Sequence, residues 1–171
     1  MHKPSDIGQT FLNDIFKEGT VMAEQNGNTA TKSFLNSLYK NVKMGADSII
    51  DLMPKVSNEK MREEMTCELE HYEKFAKEIR NILFELGEEP KEESFMTKLM
   101  AKMGISINTM MDATASHIAD IMIQGATMGI TETTKLIREF ENTQCSENAL
   151  ALAKETVKYE QESIERLKKF L

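Results

Sequence analysis

Two carboxylates stand at positions where a helical repeat calls for apolar residues, and these are Glu68 and Glu160. The repeat around Glu68 reads Met61, Met65, Glu68, Tyr72, Phe75, Ile79, Ile82, Leu86, and the repeat around Glu160 reads Leu150, Ala153, Val157, Glu160, Ile164, Leu167, Leu171. A buried carboxylate without a partner costs several kcal/mol, so such a group is normally paired, protonated or bound to a metal. The pattern predicts a polar site inside an apolar core.

A histidine stands close to the first of these carboxylates. His71 follows Glu68 by three residues, and this spacing puts both side chains on one face of a helix. A structural interpretation stays open beside the metal interpretation, because Glu68 could pair with Lys40 or Lys43 across a helix interface and His71 could flank the seam half exposed. The sequence does not decide between the two.

The elements that position these residues are all helical, because apolar residues recur at spacings of three and four and no strand-like alternation occurs. A first amphipathic helix at about 5–25, with Phe11, Ile15 and Met22 on one face, is predicted to close at the turn-forming residues 25–28. The domain organisation is therefore an N-terminal helix and turn over 1–28 and a four-helix bundle over 29–171. The bundle helices are predicted at about 31–53, 57–87, 106–128 and 146–171.

Two breaks in the pattern carry topological expectations. Gly87 and Gly104 bracket a polar turn and a short apolar segment, so residues 88–104 are predicted to cross the length of the bundle and leave the second and third bundle helices parallel. Gly129, followed by Thr131 as a new N-cap, predicts a break or kink near the end of the third helix, with a short continuation after it.

A Glu-x-x-His pair pointing into a four-helix bundle resembles the ferritin-like superfamily of di-iron carboxylate proteins, which includes ferritins, bacterioferritins and rubrerythrins. The resemblance covers helix order and length over residues 31–171. It implies that the first and third bundle helices each supply a Glu, and that the second and fourth each supply a Glu and a His.

Carried over residue by residue, the second helix matches the family pattern with Glu68 and His71. The fourth helix matches by half, because Glu160 is in place but Ser163 occupies the His position. In the first helix the nearest carboxylate is Asp47, which is shorter than Glu. The third helix offers Asp112, His117 and Asp120 but no Glu.

These departures indicate a degenerate site, because oxygen-activating di-iron chemistry needs bridging carboxylates between two metals. The expected ligands are Glu68, His71, Glu160, Asp47 and His117, with iron or another divalent transition metal as the cofactor, or no cofactor at all. For His117, a core histidine bonded to a backbone carbonyl or to a neighbouring Ser or Thr is the bland alternative.

Composition restricts the partners and the location. The chain has 171 residues and a formal net charge of −7, and its basic residues are spread along the helices, so nucleic acid is not expected as a partner. Cys67 and Cys145 show no metal-type spacing and read as free thiols of a reducing compartment. No leader-like segment and no apolar run of about 18 residues occurs, so a cytoplasmic protein without a membrane span is expected.

Three functions stay open at this level. The first is a ferritin-like bundle with a degenerate or vestigial metal site and unknown activity. The second is a structural module that self-associates without metal, and the third is a metal-dependent oxidoreductase with atypical ligands. A homo-oligomer, most simply a dimer, is expected, because the N-terminal helix should dock its apolar face on the bundle or on a second subunit. Whether the chain is an enzyme is undecided, since the Rossmann, P-loop, serine-hydrolase and HExxH signatures do not occur.

Overall fold

The computed structural model describes the backbone of residues 6–90 and 114–171, and the side chains of residues 25–90 and 114–171. Within these ranges the chain is helical and contains no strand. The helices are α1 (Asp6–Leu52), α2 (Glu59–Glu85), α3 (Ala115–Phe140) and α4 (Glu147–Leu167), with short 3-10 turns at Met53–Lys55 and Lys168–Phe170. In the described residues, the predicted all-helical class is therefore confirmed, with four helices.

The turn predicted at residues 25–28 is wrong, because α1 continues through these residues without a break. Asn and Gly weaken a helix by only about 1 kcal/mol each, and packing can outweigh that cost. Gly27 packs closely here, since a Cβ atom at this position would lie 3.1 Å from the backbone oxygen of Gln144. The division of the chain at residue 28 stays a prediction, and the Phe11, Ile15 and Met22 side chains lie outside the described residues.

The ends of α2 follow the predicted signals with one shift. Pro54 lies in the 3-10 turn after α1, and the N-cap of α2 is Asn58, whose side chain accepts a hydrogen bond from the Met61 amide at 3.0 Å. After α2 the chain turns at Gly87, which has a positive φ of 72° that favours glycine. The predicted cap Ser57 is therefore one residue too early, and Gly87 is confirmed as the stop.

Helix α3 differs from its prediction in the middle. Thr114 caps its start by accepting from the His117 amide, and the helix runs unbroken through Gly129 to Phe140. The predicted break at Gly129 is wrong, because this glycine serves a close side-chain approach and not a helix end. The predicted start near residue 106, Asp112 and most of the 88–104 segment lie outside the described residues.

Contacts between helix ends give the topology. The Phe34 and Phe140 rings pack edge to face at 5.5 Å, and the Ser146 amide donates to Thr31 Oγ1 at 2.9 Å, so the bundle part of α1 begins where α3 ends and α4 begins. Glu88 reaches the same end, where it accepts from Asn36 at 2.7 Å. Helix α1 is thus antiparallel to its neighbours α2 and α3, and α2 and α3 are parallel across the diagonal, as predicted.

The core between the helices is mainly apolar, as the repeats predict. Fully buried side chains come from all four helices and include Phe34, Leu38, Met65, Ile79, Ile118 and Leu167. Two carboxylates interrupt this core, and both lie on the α2 and α4 faces that meet in an antiparallel pair. No helix in the described ranges is long and apolar enough to cross a membrane.

Candidate functional site

Glu68 and Glu160 are both buried in the bundle, with relative exposures of 1% and 5%. The Tyr72 hydroxyl, one turn after Glu68 on α2, donates a hydrogen bond to Glu160 Oε1 at 3.1 Å. Glu160 Oε2 is buried and has no hydrogen-bond partner. The sequence repeat therefore located both internal carboxylates, and the structure leaves one oxygen of Glu160 unsatisfied.

Glu68 is held by an ion pair that the sequence did not predict. Arg166, on α4, donates from Nη2 to Glu68 Oε1 at 2.6 Å and from Nε to Glu64 Oε1 at 2.7 Å. The Ser163 hydroxyl also hydrogen-bonds the Glu68 carboxyl. The structural alternative, in which Glu68 pairs with a lysine of α1, is wrong about the partner, because the cation that pairs with Glu68 comes from α4.

The two carboxyl groups have shifted acidities. Burial raises the pKa of Glu160 to about 8, the Tyr72 hydrogen bond opposes that rise, and the neighbouring Glu68 charge adds to it. The pKa of Glu68 is also raised by burial, while the bonds from Ser163 and Arg166 oppose the change. Glu160 is thus largely protonated at neutral pH. Glu68, in contrast, is the carboxyl group that pairs with a cation, Arg166.

His71 does not join the two carboxylates. Its Nδ1–H donates to the Cys67 carbonyl at 2.9 Å, and its ring stacks on Tyr159 with the centroids 4.2 Å apart. The guanidinium of Arg166 lies over the same Tyr159 ring, 5.1 Å from its centroid. His71 therefore belongs to a half-buried aromatic and cationic stack beside Glu68, with its ring committed to that stack.

The other predicted ligands are also apart from the carboxylates. Asp47 forms an ion pair with Lys43 at 3.3 Å on the flank of α1. His117 lies in the first turn of α3, where its backbone amide bonds to the cap residue Thr114. Among the described residues, no three His, Cys, Asp or Glu side chains are grouped in a way that could hold a metal ion.

A cavity of about 230 Å³ lies between the four helices, with Glu68 and Glu160 in its wall. Much of the wall is apolar, and its apolar side chains include Met44, Ile49, Leu52, Ile121, Met122 and Leu167. Tyr72 and Ser163 add hydroxyl groups close to the two carboxylates. An engineered apolar cavity of about 150 Å³ is large enough to bind benzene, so this space can accept a small organic molecule.

Two glycines make room for the polar side chains of this wall. A Cβ atom at Gly45 on α1 would stand 2.7 Å from the Tyr72 ring, and one at Gly129 on α3 would overlap Glu160 Oε1. Gly125 also lines the cavity, but a Cβ atom there would meet no atom within 4 Å. The glycines therefore differ in role: Gly45 and Gly129 accommodate neighbours, while Gly125 leaves empty space.

Several residues of the site escaped the sequence reasoning. The apolar repeat places Tyr72 in the seam, and it assigns Arg166 to no site. Tyr72 could have been found from its spacing, because it follows Glu68 by four residues and so shares its helix face, whereas Arg166 follows Glu160 by six residues and does not. Gly129 looks like a helix break in the sequence, since glycine spacing alone does not distinguish a break from a close contact.

Comparisons of the chain with models of known protein families, with curated proteins and with solved structures found no match.

Proposed function

We propose that this chain is a ferritin-like helical bundle whose interior binds a small ligand at the position where di-iron proteins hold their metals. One observation carries the proposal: Glu160 Oε2 is buried beside a cavity of about 230 Å³ and has no partner. A buried polar atom without a hydrogen bond costs about 1–3 kcal/mol, so its persistence is best explained by a ligand that satisfies it.

The composition of the cavity wall supports binding of an organic molecule. Ligand pockets are mainly apolar with a few polar groups that fix orientation, and they often lie between the helices of bundles. Here Tyr72 orients the Glu160 carboxyl through Oε1, which leaves Oε2 for an occupant. Packing of the helices fixes these polar groups before a ligand arrives, so little ordering cost accompanies binding.

The donor set does not fit a di-iron centre. Glu68 is engaged by Arg166 and Ser163, and Ser163 itself stands where the family pattern has a His. His71, the predicted His ligand that follows Glu68 on α2, donates to the Cys67 carbonyl and stacks on Tyr159. A bridged pair of metals needs several carboxylates and imidazoles that are free to ligate, and these side chains are already engaged.

Xenon uptake tests the cavity itself, because xenon enters apolar internal space without needing a polar partner. We expect saturable chemical-shift changes in the wild-type chain under xenon pressure, and their loss in Gly125→Leu, whose side chain fills the empty space beside Gly125. Gly125→Ala is the matched control and should keep most of the effect. Equal responses in the wild-type chain and Gly125→Leu would contradict the cavity.

Metal analysis tests the degenerate site separately. We expect substoichiometric iron and zinc in protein purified without added metal, and no change in melting temperature on treatment with a chelator. One tightly held ion per chain that is lost in Glu160→Gln would favour the oxidoreductase alternative.

Self-association stays part of the proposal, and light scattering of the full chain should give the mass of a dimer.

A further inference from the structure

The wall of the cavity is acidic. Glu68, Glu132 and Glu160 line it, and among the described residues no Lys, Arg or His side chain lines it. The cations that pair with two of these residues, Arg166 with Glu68 and Lys135 with Glu132, do not form part of the wall. The unpaired negative charge that an occupant meets is therefore that of Glu160 once it ionises, and this charge favours a cation over an anion.

We propose that the cavity binds a small primary alkylammonium ion, whose N–H groups donate to Glu160 Oε2 while its alkyl chain packs on the apolar wall. This inference rests on the proposed ligand-binding function. The cavity volume of about 230 Å³ suits a ligand of about five to eight non-hydrogen atoms, by comparison with benzene in a smaller engineered cavity.

The geometry of Glu160 favours a donor as its partner. Tyr72 already donates to Oε1, so the carboxyl group is fixed in orientation, and Oε2 is the remaining acceptor once Glu160 is ionised. A hydrogen bond between a cation and a carboxylate is shorter and stronger than one between neutral groups. An ammonium ion at this point also relieves the repulsion between the Glu160 and Glu68 carboxylates.

The remainder of the wall determines the rest of the ligand. Met44, Ile49, Leu52 and Ile121 offer carbon and sulfur surfaces, which bind an alkyl chain by burial and not by hydrogen bonding. A bare metal ion would find few ligands here, because zinc takes about four N, S or O ligands and calcium about six to eight oxygens. An organic cation satisfies both the acidic and the apolar part of the wall.

Isothermal titration calorimetry with hexylammonium chloride and its neutral isostere 1-hexanol tests the inference, at about pH 8.5 where Glu160 is mostly ionised and alkylamines remain cations. We expect hexylammonium to bind the wild-type chain at least tenfold more tightly than 1-hexanol. This comparison needs no variant. In Glu160→Gln we expect hexylammonium binding to weaken at least tenfold, while 1-hexanol binding changes less than threefold. Gly125→Leu should abolish both.

The outcomes separate this inference from the function on which it rests. If 1-hexanol binds and hexylammonium does not, or if Glu160→Gln binds hexylammonium as tightly as the wild type, the cation is wrong but the cavity stands. If neither probe binds the wild-type chain and xenon does not enter, the ligand-binding function falls as well. Stoichiometric Zn²⁺ or Mn²⁺ binding that requires Glu160 and excludes hexylammonium would replace the organic cation with a metal.

Discussion

Replacement of Glu160 by Gln should change the pH dependence of stability in a way that reports the buried carboxyl directly. The folded protein holds the Glu160 proton up to about pH 8, whereas the ordinary value for Glu is 4.5. Between these values the folded state binds more protons than the unfolded state, so the free energy of unfolding falls as pH rises. The stabilisation is present below pH 4.5 and is lost as pH passes the folded value.

The size of the effect follows from the same pair of values. One pH unit corresponds to about 1.4 kcal/mol for one proton, so a rise from 4.5 to about 8 corresponds to a loss of about 5 kcal/mol on full ionisation. Gln is nearly isosteric with protonated Glu and does not ionise. At about pH 5 we therefore expect Glu160→Gln and the wild type to agree within about 1 kcal/mol, and at about pH 9 we expect the variant to be more stable by about 3–5 kcal/mol.

Urea unfolding at five pH values between about 5 and 9, followed by circular dichroism, measures this difference. Of the described groups that line the same cavity, Glu68 and Tyr72 on α2 and Glu132 on α3 are the other titratable ones. The raised pKa of Glu68 adds a slope of the same sign, so the comparison uses the difference between variant and wild type. Glu155→Gln, at an exposed position on α4, is the matched control. Parallel curves for Glu160→Gln and the wild type would refute the buried-acid assignment.

Two further substitutions test the packing and the ion pair of the same region by urea unfolding. Gly129→Ala should destabilise the fold by about 1–3 kcal/mol, because its Cβ atom would overlap Glu160 Oε1. Gly125→Ala should be neutral or stabilising by up to about 1 kcal/mol, because no atom lies within 4 Å of its Cβ position. Arg166→Met should destabilise by about 3 kcal/mol at neutral pH, because it leaves the Glu68 carboxylate buried without its cation.

Controls for these variants come from neighbouring positions in the chain. Lys168 pairs with Glu165 at an exposed position, so Lys168→Met should cost less than about 1 kcal/mol. A loss for Arg166→Met no larger than that for Lys168→Met would show that Glu68 is stable without its partner. For the glycines, equal effects of the two alanine substitutions would contradict the close approach of Glu160 to α3.

Much of the fold was predictable because helical periodicity reflects burial directly. The seam positions around Glu68 and Glu160 were identified from apolar spacing alone, and both carboxylates are buried as expected. The two misplaced helix breaks share one physical cause. Gly27 and Gly129 look like helix ends in sequence, but each lies inside a helix where another group approaches the backbone, and that group is distant in sequence.

The partners within the site were less predictable for a related reason. Arg166 reaches Glu68 across 98 residues and Tyr72 reaches Glu160 across 88, and no local pattern records which turns of α2 and α4 face each other. The Glu-x-x-His spacing correctly placed His71 next to Glu68 on the helix. It did not determine the ring orientation, which depends on the Tyr159 ring from α4.

The polar pairs between α2 and α4 also have a consequence for how the chain assembles. Helices α1 and α2 form one antiparallel hairpin and α3 and α4 form another, and each hairpin can gather its own local contacts early in folding. Glu68 and Tyr72 belong to the first hairpin, whereas Glu160 and Arg166 belong to the second. If the two hairpins docked with a shift of one helical turn, these polar groups would be buried without partners. The polar pairs therefore select one register between the hairpins, which apolar packing alone would not distinguish from shifted registers of similar shape.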